Sequence, residues 1–322
     1  MGKELGGTLL EAIRYFSDPD VCLDFMVGLR WADGVVCPAC GSDDVHFIET
    51  RRVWRCKNKH PRQQFSVKVG TIFEDSPLGL DKWFATMWLI ANAKNGISSV
   101  EVSNAIGVTQ KSAWFMLQRI RLAMQAGSFE KLSGQVEVDE TYIGGKARNM
   151  HPGKRKARGR GTVGKVAVMG LLERHGDFQY QIVENTKRRT LHGEVSKAVE
   201  PGSNVYTDAL ASYSRLADEY GHKVIDHAER YVDGEVHTNS LENFWSLLKR
   251  SIHGTYVSVE PFHLFRYLDE QAFRFNNREL TDRQRFVKVA SAVVGKRLTF
   301  QNLIGADASV SGRGAANGAI MA

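Results

Sequence analysis

Apolar positions along the chain change their spacing several times, and each change marks an element boundary. Between residues 8 and 31 they recur at helical intervals, as Leu9, Ile13 and Phe16 and then as Cys22, Phe25, Met26 and Leu29. A Ser17-Asp18-Pro19 break separates the two sets and can start the second helix. From 35 to 73 the pattern shortens to polar-punctuated strands around cysteines, and from Leu80 to about Gln125 helical spacing returns. After Gly134 come three strand-like runs, QVEVDETYIGG, KVAVMGLLERHG and FQYQIVENT, the last two joined by a Gly176-Asp177 turn signal. A helix near 190–199, the strand SNVYTDA, a helix near 211–220, the strand HKVID and a long helix starting near Ser240 follow. Three consecutive strands and then alternating helices and strands predict an α/β domain with a mixed sheet. The last eighteen residues, GADASVSGRGAANGAIMA, lack periodicity and predict a disordered tail. The expected organisation is a multidomain α+β chain: a helical lead-in (1–34), a cysteine-bearing segment (35–75), a helical region (76–133), an α/β domain (134–300) and a tail (301–322).

Composition narrows the partners. A chain of 322 residues with 43% hydrophobic content can build more than one core. A net charge of +7 and a pI near 9.2 favour an anionic partner. A membrane is disfavoured, because the apolar stretch from Trp83 to Ile90 is short and interrupted, and Glu4 and Glu11 fall where a signal peptide needs an apolar core. The expected location is the cytoplasm, in association with the nucleoid.

Three of the four cysteines lie between positions 37 and 56. Cys37-x2-Cys40-Gly, fifteen residues, and Cys56-x3-His60 supply two soft-ligand pairs suited to one structural, tetrahedral Zn²⁺ in a ribbon of short strands. His46, inside the spacer, competes with His60 for the fourth position. Cys22 reads as a buried apolar residue. Arg51, Arg52, Arg55, Lys57 and Lys59 surround the cluster with Trp54 interleaved, a pattern that suits phosphate contact as well as a solvated face.

In GISSVEVSNAIGVTQKSAWFMLQRIRLAM, Ser98 or Ser99 can cap one helix, Gly107 can make a turn, and Thr109 can cap a second helix. This is helix-turn-helix geometry, with an ordinary helical hairpin as its alternative. Val102, Ile106, Ala113, Leu117 and Ile120 form the expected buried stripe, leaving Gln110, Lys111, Gln118, Arg119 and Arg121 for DNA.

Two-metal phosphoryl transfer needs carboxylates converging from separate elements. Asp139 lies towards the end of the first strand of the α/β domain, Asp208 ends its fourth strand, and Glu242 lies early in the helix NSLENFWSLLKR. Singly, each has a duller reading as a turn or helix-terminus acid. VEVDETYIGGK, VYTDALASY and HTNSLENFWSLLKRSIHGTY together resemble the bacterial insertion-sequence transposases that join a zinc ribbon to a DDE catalytic domain of ribonuclease-H-like fold. The likeness spans roughly residues 20–280. It implies that Asp139, Asp208 and Glu242 hold two Mg²⁺ (or Mn²⁺) ions and that double-stranded DNA, both element ends and target, is the partner. Asn239 stands as a rival for the third position, and His237 as a nearby assistant. Lys249 follows Glu242 by seven, two helical turns, so that it shares its face and can hold a phosphate, with Arg250 beside it. A homo-oligomer assembled on DNA is expected, because transposition must bring two ends together.

From Gly144 to Leu172 there is no acid, while Lys154, Arg155, Lys156 and Arg158 accumulate among glycines. Directly after the Asp139 strand, such a segment would carry cations to the rim of the active site. Two other functions remain compatible with the sequence: a ribonuclease-H-like nuclease or resolvase without strand joining, and a non-catalytic zinc-ribbon DNA-binding regulator.

Overall fold

The computed structural model describes residues 4–125, 130–145, 164–225 and 237–305. The chain divides into two compact units, one holding residues up to Gln125 together with the segment from Asn277 onward, the other spanning 126–276.

The first unit opens with helices α1 (Leu9–Tyr15), capped by a Thr8/Glu11 box, and α2 (Pro19–Arg30), whose N-cap Asp18 accepts from the Asp20 N–H. A small antiparallel sheet follows, β1 (Val45–Ile48), β2 (Val53–Cys56) and β3 (Gln64–Phe65) in that order. Helices α3 (Leu80–Asn92), α4 (Ser99–Ile106) and α5 (Gln110–Met124) make up the middle region. Ser98 and Glu101 cap α4 reciprocally, and Gly107 ends it in the left-handed conformation that a Cβ disfavours. Thr109 then caps α5, so the helix pair and its turn form as the sequence signals require.

Helices α9 (Asp282–Ser291) and α10 (Phe300–Leu303) return to this unit. Phe286 of α9 enters a ring cluster with Phe16, Phe25 and Phe84, at centroid separations of 5.6, 5.9 and 6.0 Å. The Ile72 N–H also donates to the Val293 carbonyl at 3.1 Å. The α/β domain therefore ends at 276 instead of the expected 300, because the apolar face of α9 is satisfied by the N-terminal helices. The first residues of the expected tail are ordered, since Thr299 caps α10; the rest of it, beyond 305, lies outside the described residues.

The second unit is built on β4 (Gln135–Ile143), β5 (Val166–Glu173), β6 (Phe178–Val183), β7 (Asn204–Asp208) and β8 (Gly221–Ile225). Their spatial order is β6-β5-β4-β7-β8; β4 pairs antiparallel with β5 and β5 with β6, whereas β4–β7 and β7–β8 are parallel. Helix α6 (Arg188–Ala198) packs through Leu191 and Val195 onto Val136, Val138, Met169 and Leu171. The opposite face meets α7 (Asn239–Ser251) and α8 (Leu264–Asn276), where Leu241, Phe244, Trp245, Leu248 and Leu268 lie with Val168, Leu172 and Phe178. Side chains of alternating parity on β5 thus serve two cores, as a doubly covered sheet requires. This mixed sheet with helices on both faces is the α/β architecture expected of a ribonuclease-H-like domain. One expected element is absent: residues 211–220 form two short 3₁₀ turns in place of a helix, with Arg215 between them at φ 77°.

Candidate active site and metal centre

The ribbon brings Cys37, Cys40, Cys56 and His60 together, with one ligating atom from each lying within 4.8 Å of all the others. Two backbone knuckles create this convergence. Gly41, at φ 73°, returns its N–H to the Cys37 carbonyl, and the Cys56 N–H donates to the Gln63 carbonyl across the turn that carries His60. The Cys40–Cys56 sulfurs are 3.6 Å apart and Cys37 Sγ lies 3.4 Å from His60 Nε2. A tetrahedral zinc with ordinary bond lengths would set these edges at about 3.8 and about 3.6 Å, so the donor set suits that ion. The His60 Nδ1 lies 2.8 Å from the Pro61 carbonyl, an outer contact that holds the ring with Nε2 towards the thiols. His46 is exposed on β1, opposite Arg55, and takes no part in the cluster. Of the cations around the ribbon, Arg52 is engaged by Asp20 and Lys57 by Asp44. Trp54 is buried against Phe47 and Phe65, so it belongs to the ribbon's core. Cys22 is buried with its thiol directed at the Phe16 carbonyl, and burial pushes it up to about 12.

In the second unit Asp139 and Asp208 lie just beyond the parallel β4–β7 pairing, Asp208 at the end of β7 but Asp139 in the middle of β4, whose pairing with β5 carries on to Ile143. The β4–β7 register pairs Glu137 with Tyr206. Two residues further along each strand come Asp139 and Asp208, on the same level by the period of a strand. Helix α7 passes across the β4 face, and Asp139, Glu140, Thr141, Glu242, Trp245, Ser246 and Lys249 line a cleft of about 400 Å³. Burial first, then the charge of Asp208, with a smaller push from Glu242, raise the Asp139 carboxyl to about 6. Partial burial first, then the charges of Asp139 and Asp208, raise half-buried Glu140 to about 7 although the Tyr213 hydroxyl donates to it. Such clustering of acids that oppose each other's ionisation is an arrangement a divalent cation relieves. Asp139, Asp208 and Glu242 do not close on a single point: among the described residues, the cysteine–histidine group alone has three or more ligating atoms within 4.8 Å.

Trp245 ties the cleft to the sheet. Its indole Nε1 donates to Asp139 Oδ2 at 3.0 Å, and its ring lies over Gly170, which pairs with Asp139 across β4 and β5. A Cβ at Gly170 would come within 2.6 Å of Trp245 Cζ2, so only glycine lets α7 sit this close. Sequence reasoning missed Glu140, Tyr213, Gly170 and the fully buried Glu137. A glycine inside the apolar run VAVMGLLE was the available signal for close approach. Nothing local marked Tyr213.

The remaining expectations divide. Lys249 is exposed on the cleft wall with Arg250 exposed beside it, and Lys111 is exposed on α5. Arg119 and Arg121 are not surface cations: they are 5% and 1% exposed. The Arg119 guanidinium donates to the carbonyls of Leu298, Ile72 and Glu74 and lies over Phe115, so its role is to fasten α5 to two loops. Gln118 is equally buried. Asn239 opens α7, exposed, and His237 precedes it with Nδ1 3.3 Å from Glu137; neither lines the cleft. Lys154, Arg155, Lys156 and Arg158 lie outside the described residues.

Comparison with known proteins agrees with this division. Residues 131–276 match the model of an ISXO2-like transposase domain, ending where the second unit ends, and residues 17–58 match a transposase zinc-ribbon domain. An uncharacterized protein in transposable element ISH50 of Halobacterium salinarum is 29% identical over 257 residues, covering 74% of this chain and 84% of that protein. An uncharacterized transposase-like protein of Haemophilus influenzae is 33% identical over 100 residues, 31% of this chain and 80% of its own length. Among solved structures, the Mos1 strand transfer complex shares 14% identity at a TM-score of 0.30, covering 67% of this chain and 79% of the other. A pre-cleavage Mos1 transpososome gives 14% and 0.29, with 67% and 80% covered. No helix among the described residues is long and apolar enough to cross a membrane.

Proposed function

Because the chain belongs to the ISXO2-like transposases, with a transposase zinc ribbon ahead of its transposase domain, we propose that it binds the ends of an insertion sequence and catalyses metal-dependent strand cleavage and transfer at Asp139, Asp208 and Glu242. The observation that carries this reading is the shared cleft of Asp139, Glu242 and Lys249, with the charge of Asp208 acting on Asp139. When bound there, two Mg²⁺ or Mn²⁺ ions would neutralise the scissile phosphate, activate the attacking oxygen and stabilise the leaving 3′ oxygen.

The chain's own groups prepare that chemistry. The Trp245 N–H donates to Asp139 Oδ2 and so orients that carboxylate in the cleft. The Leu210 N–H holds Asp208 Oδ1 in a turn, which orients that carboxylate. Lys249, two helical turns from Glu242, offers an ammonium to a phosphate oxygen adjacent to the carboxylates. The Cys37, Cys40, Cys56 and His60 site closes all four positions with protein ligands and therefore serves folding and DNA docking. Two copies of the chain assembled on DNA would bring two element ends together.

Purified protein incubated with duplexes carrying candidate terminal repeats in Mg²⁺ should release 3′-hydroxyl ends and join them to a second duplex. Cleavage without joining would favour a nuclease. Specific binding with neither reaction would favour a regulator.

A further inference from the structure

Glu137 stands on β4 two residues before Asp139, on the same face, and is fully buried. A carboxylate with no water is tolerated where donors converge on it. Three elements supply polar groups here. Arg174, which follows β5, donates Nε to Glu137 Oε1 at 3.0 Å. His237 Nδ1 lies 3.3 Å from the same oxygen. The Leu241 N–H, in the first turn of α7, donates to Glu137 Oε2 at 3.0 Å. Each guanidinium nitrogen of Arg174 is engaged, with Nη1 on Gln135 and Nη2 on the His237 carbonyl, and the group lies over Tyr206 at 4.2 Å. It thereby joins β4, β7 and the start of α7.

The spacing is the informative part. Along β4, Glu137 and Asp139 are separated by about 6.7 Å. Along α7, Leu241 and Trp245 are separated by about 6 Å. The bonds Glu137–Leu241 N–H and Asp139–Trp245 Nε1, each 3.0 Å long, therefore act as two rungs between one strand and one helix. Two rungs fix both the slide and the tilt of α7 along β4, where one would leave it free to pivot. Glu242 lies between them in sequence.

We propose that Glu137 is a positioning residue: its buried carboxylate, clamped by Arg174, caps α7 from the neighbouring strand and sets the distance between Glu242 and Asp139. This rests on the reading that Asp139, Asp208 and Glu242 hold divalent cations. The test is calorimetric titration of Mn²⁺ into the zinc-loaded full chain, together with amide hydrogen exchange along α7, for wild type, Glu137→Gln, Glu137→Ala and Asp139→Asn. The glutamine keeps an acceptor for Leu241 but turns donors towards Arg174, and should weaken Mn²⁺ binding about tenfold. The alanine removes both interactions and should approach the upper end of the 10- to 100-fold range of outer-shell changes. Protection at the start of α7 should fall in the same order, with zinc content unchanged. Mn²⁺ affinities within about twofold of wild type, with α7 protection intact, would overturn the proposal. If the alanine variant does not fold, the glutamine variant decides by the same two readings. Asp139→Asn separates the premises: wild-type Mn²⁺ binding in that variant would remove the metal reading, and the exchange at α7 alone would then judge the clamp.

Discussion

Replacing Gly170 with alanine puts a methyl group where three side chains already meet. The added carbon would lie 2.6 Å from Trp245 Cζ2, 3.0 Å from Leu241 Cδ1 and 3.0 Å from Phe178 Cε2. Phe178 has little room to retreat, because it stacks on Phe244 at a centroid distance of 3.6 Å. The strain therefore falls on α7, which must lift by roughly 0.9 Å for the indole to regain ordinary contact distance. Overpacking of this kind costs about 1–3 kcal/mol, or about 2–4 °C of melting temperature per kcal/mol in a domain of this size. The catalytic consequence is larger, because a displacement near 1 Å in a reacting constellation costs on the order of 100-fold in rate. Gly170→Ala should therefore melt several degrees lower and cleave about 100-fold more slowly, with affinity for duplex DNA unchanged. The double variant Gly170→Ala/Trp245→Phe should recover the melting temperature of Trp245→Phe alone. It should recover less of the activity, since the hydrogen bond to Asp139 is gone. Wild-type melting and cleavage in Gly170→Ala would refute the claim that the packing of α7 on β5 sets the cleft.

Three further outcomes follow from particular groups. Arg119→Met should destabilise the first unit by on the order of 3 kcal/mol, because three backbone carbonyls lose a charged donor; the salt dependence of DNA binding should not change, which a filter-binding series at varied salt would measure. Removal of zinc by a chelator, or Cys40→Ser, should abolish protection of the amides of β1 and β2, read by hydrogen exchange, while the second unit keeps its own melting transition. For the metal-free protein, Asp139 is raised to about 6 in the folded state against about 4 in an unfolded chain. The stability tied to its protonated form is present below pH 4 and lost as pH rises through 6. Mn²⁺ should bind more tightly over that same rise, and in melting scans across pH 4–8 Asp139→Asn should reduce both trends to the part carried by Glu140, which is raised to about 7.

Much of the molecule was legible because its local signals agree with its global packing. The β5–β6 turn forms at Gly176-Asp177, the α4–α5 turn at Gly107, and the α/β order from Gln135 to Glu242 follows the alternation of apolar runs. The places that were not legible depend on partners distant in sequence. Arg119 and Arg121 look like surface cations on a helical wheel, yet α5 is covered on that side by the segments around Ile72 and Leu298, 47 and 179 residues away. Helix α8 hides its role because Arg266, Asp269, Glu270 and Gln271 are buried, Asp269 held by Arg266 and Tyr180, Glu270 by Tyr256 and Arg274, and Gln271 by Arg274, so polar residues interrupt its apolar face. Residues 211–220 carry helical spacing but turn at Arg215, and Tyr213 is directed instead into the sheet, where its hydroxyl meets Glu140. Of the carboxylates, Asp139, Asp208 and Glu242 stood out through their placement on two strands and at a helix start, although Asp139 lies in the middle of β4 and not near its end. Glu137 did not, because an acid at an inward strand position reads as an error until its clamp is seen.

The central claim is that Asp139, Asp208 and Glu242 form a two-metal site. Crystals of the full chain soaked in Mn²⁺ and measured for anomalous scattering test it most directly. Two peaks about 4 Å apart, held by Asp139, Asp208 and Glu242, are the expected result. Peaks held by Asn239 in place of Glu242, or none near Asp139, would contradict it.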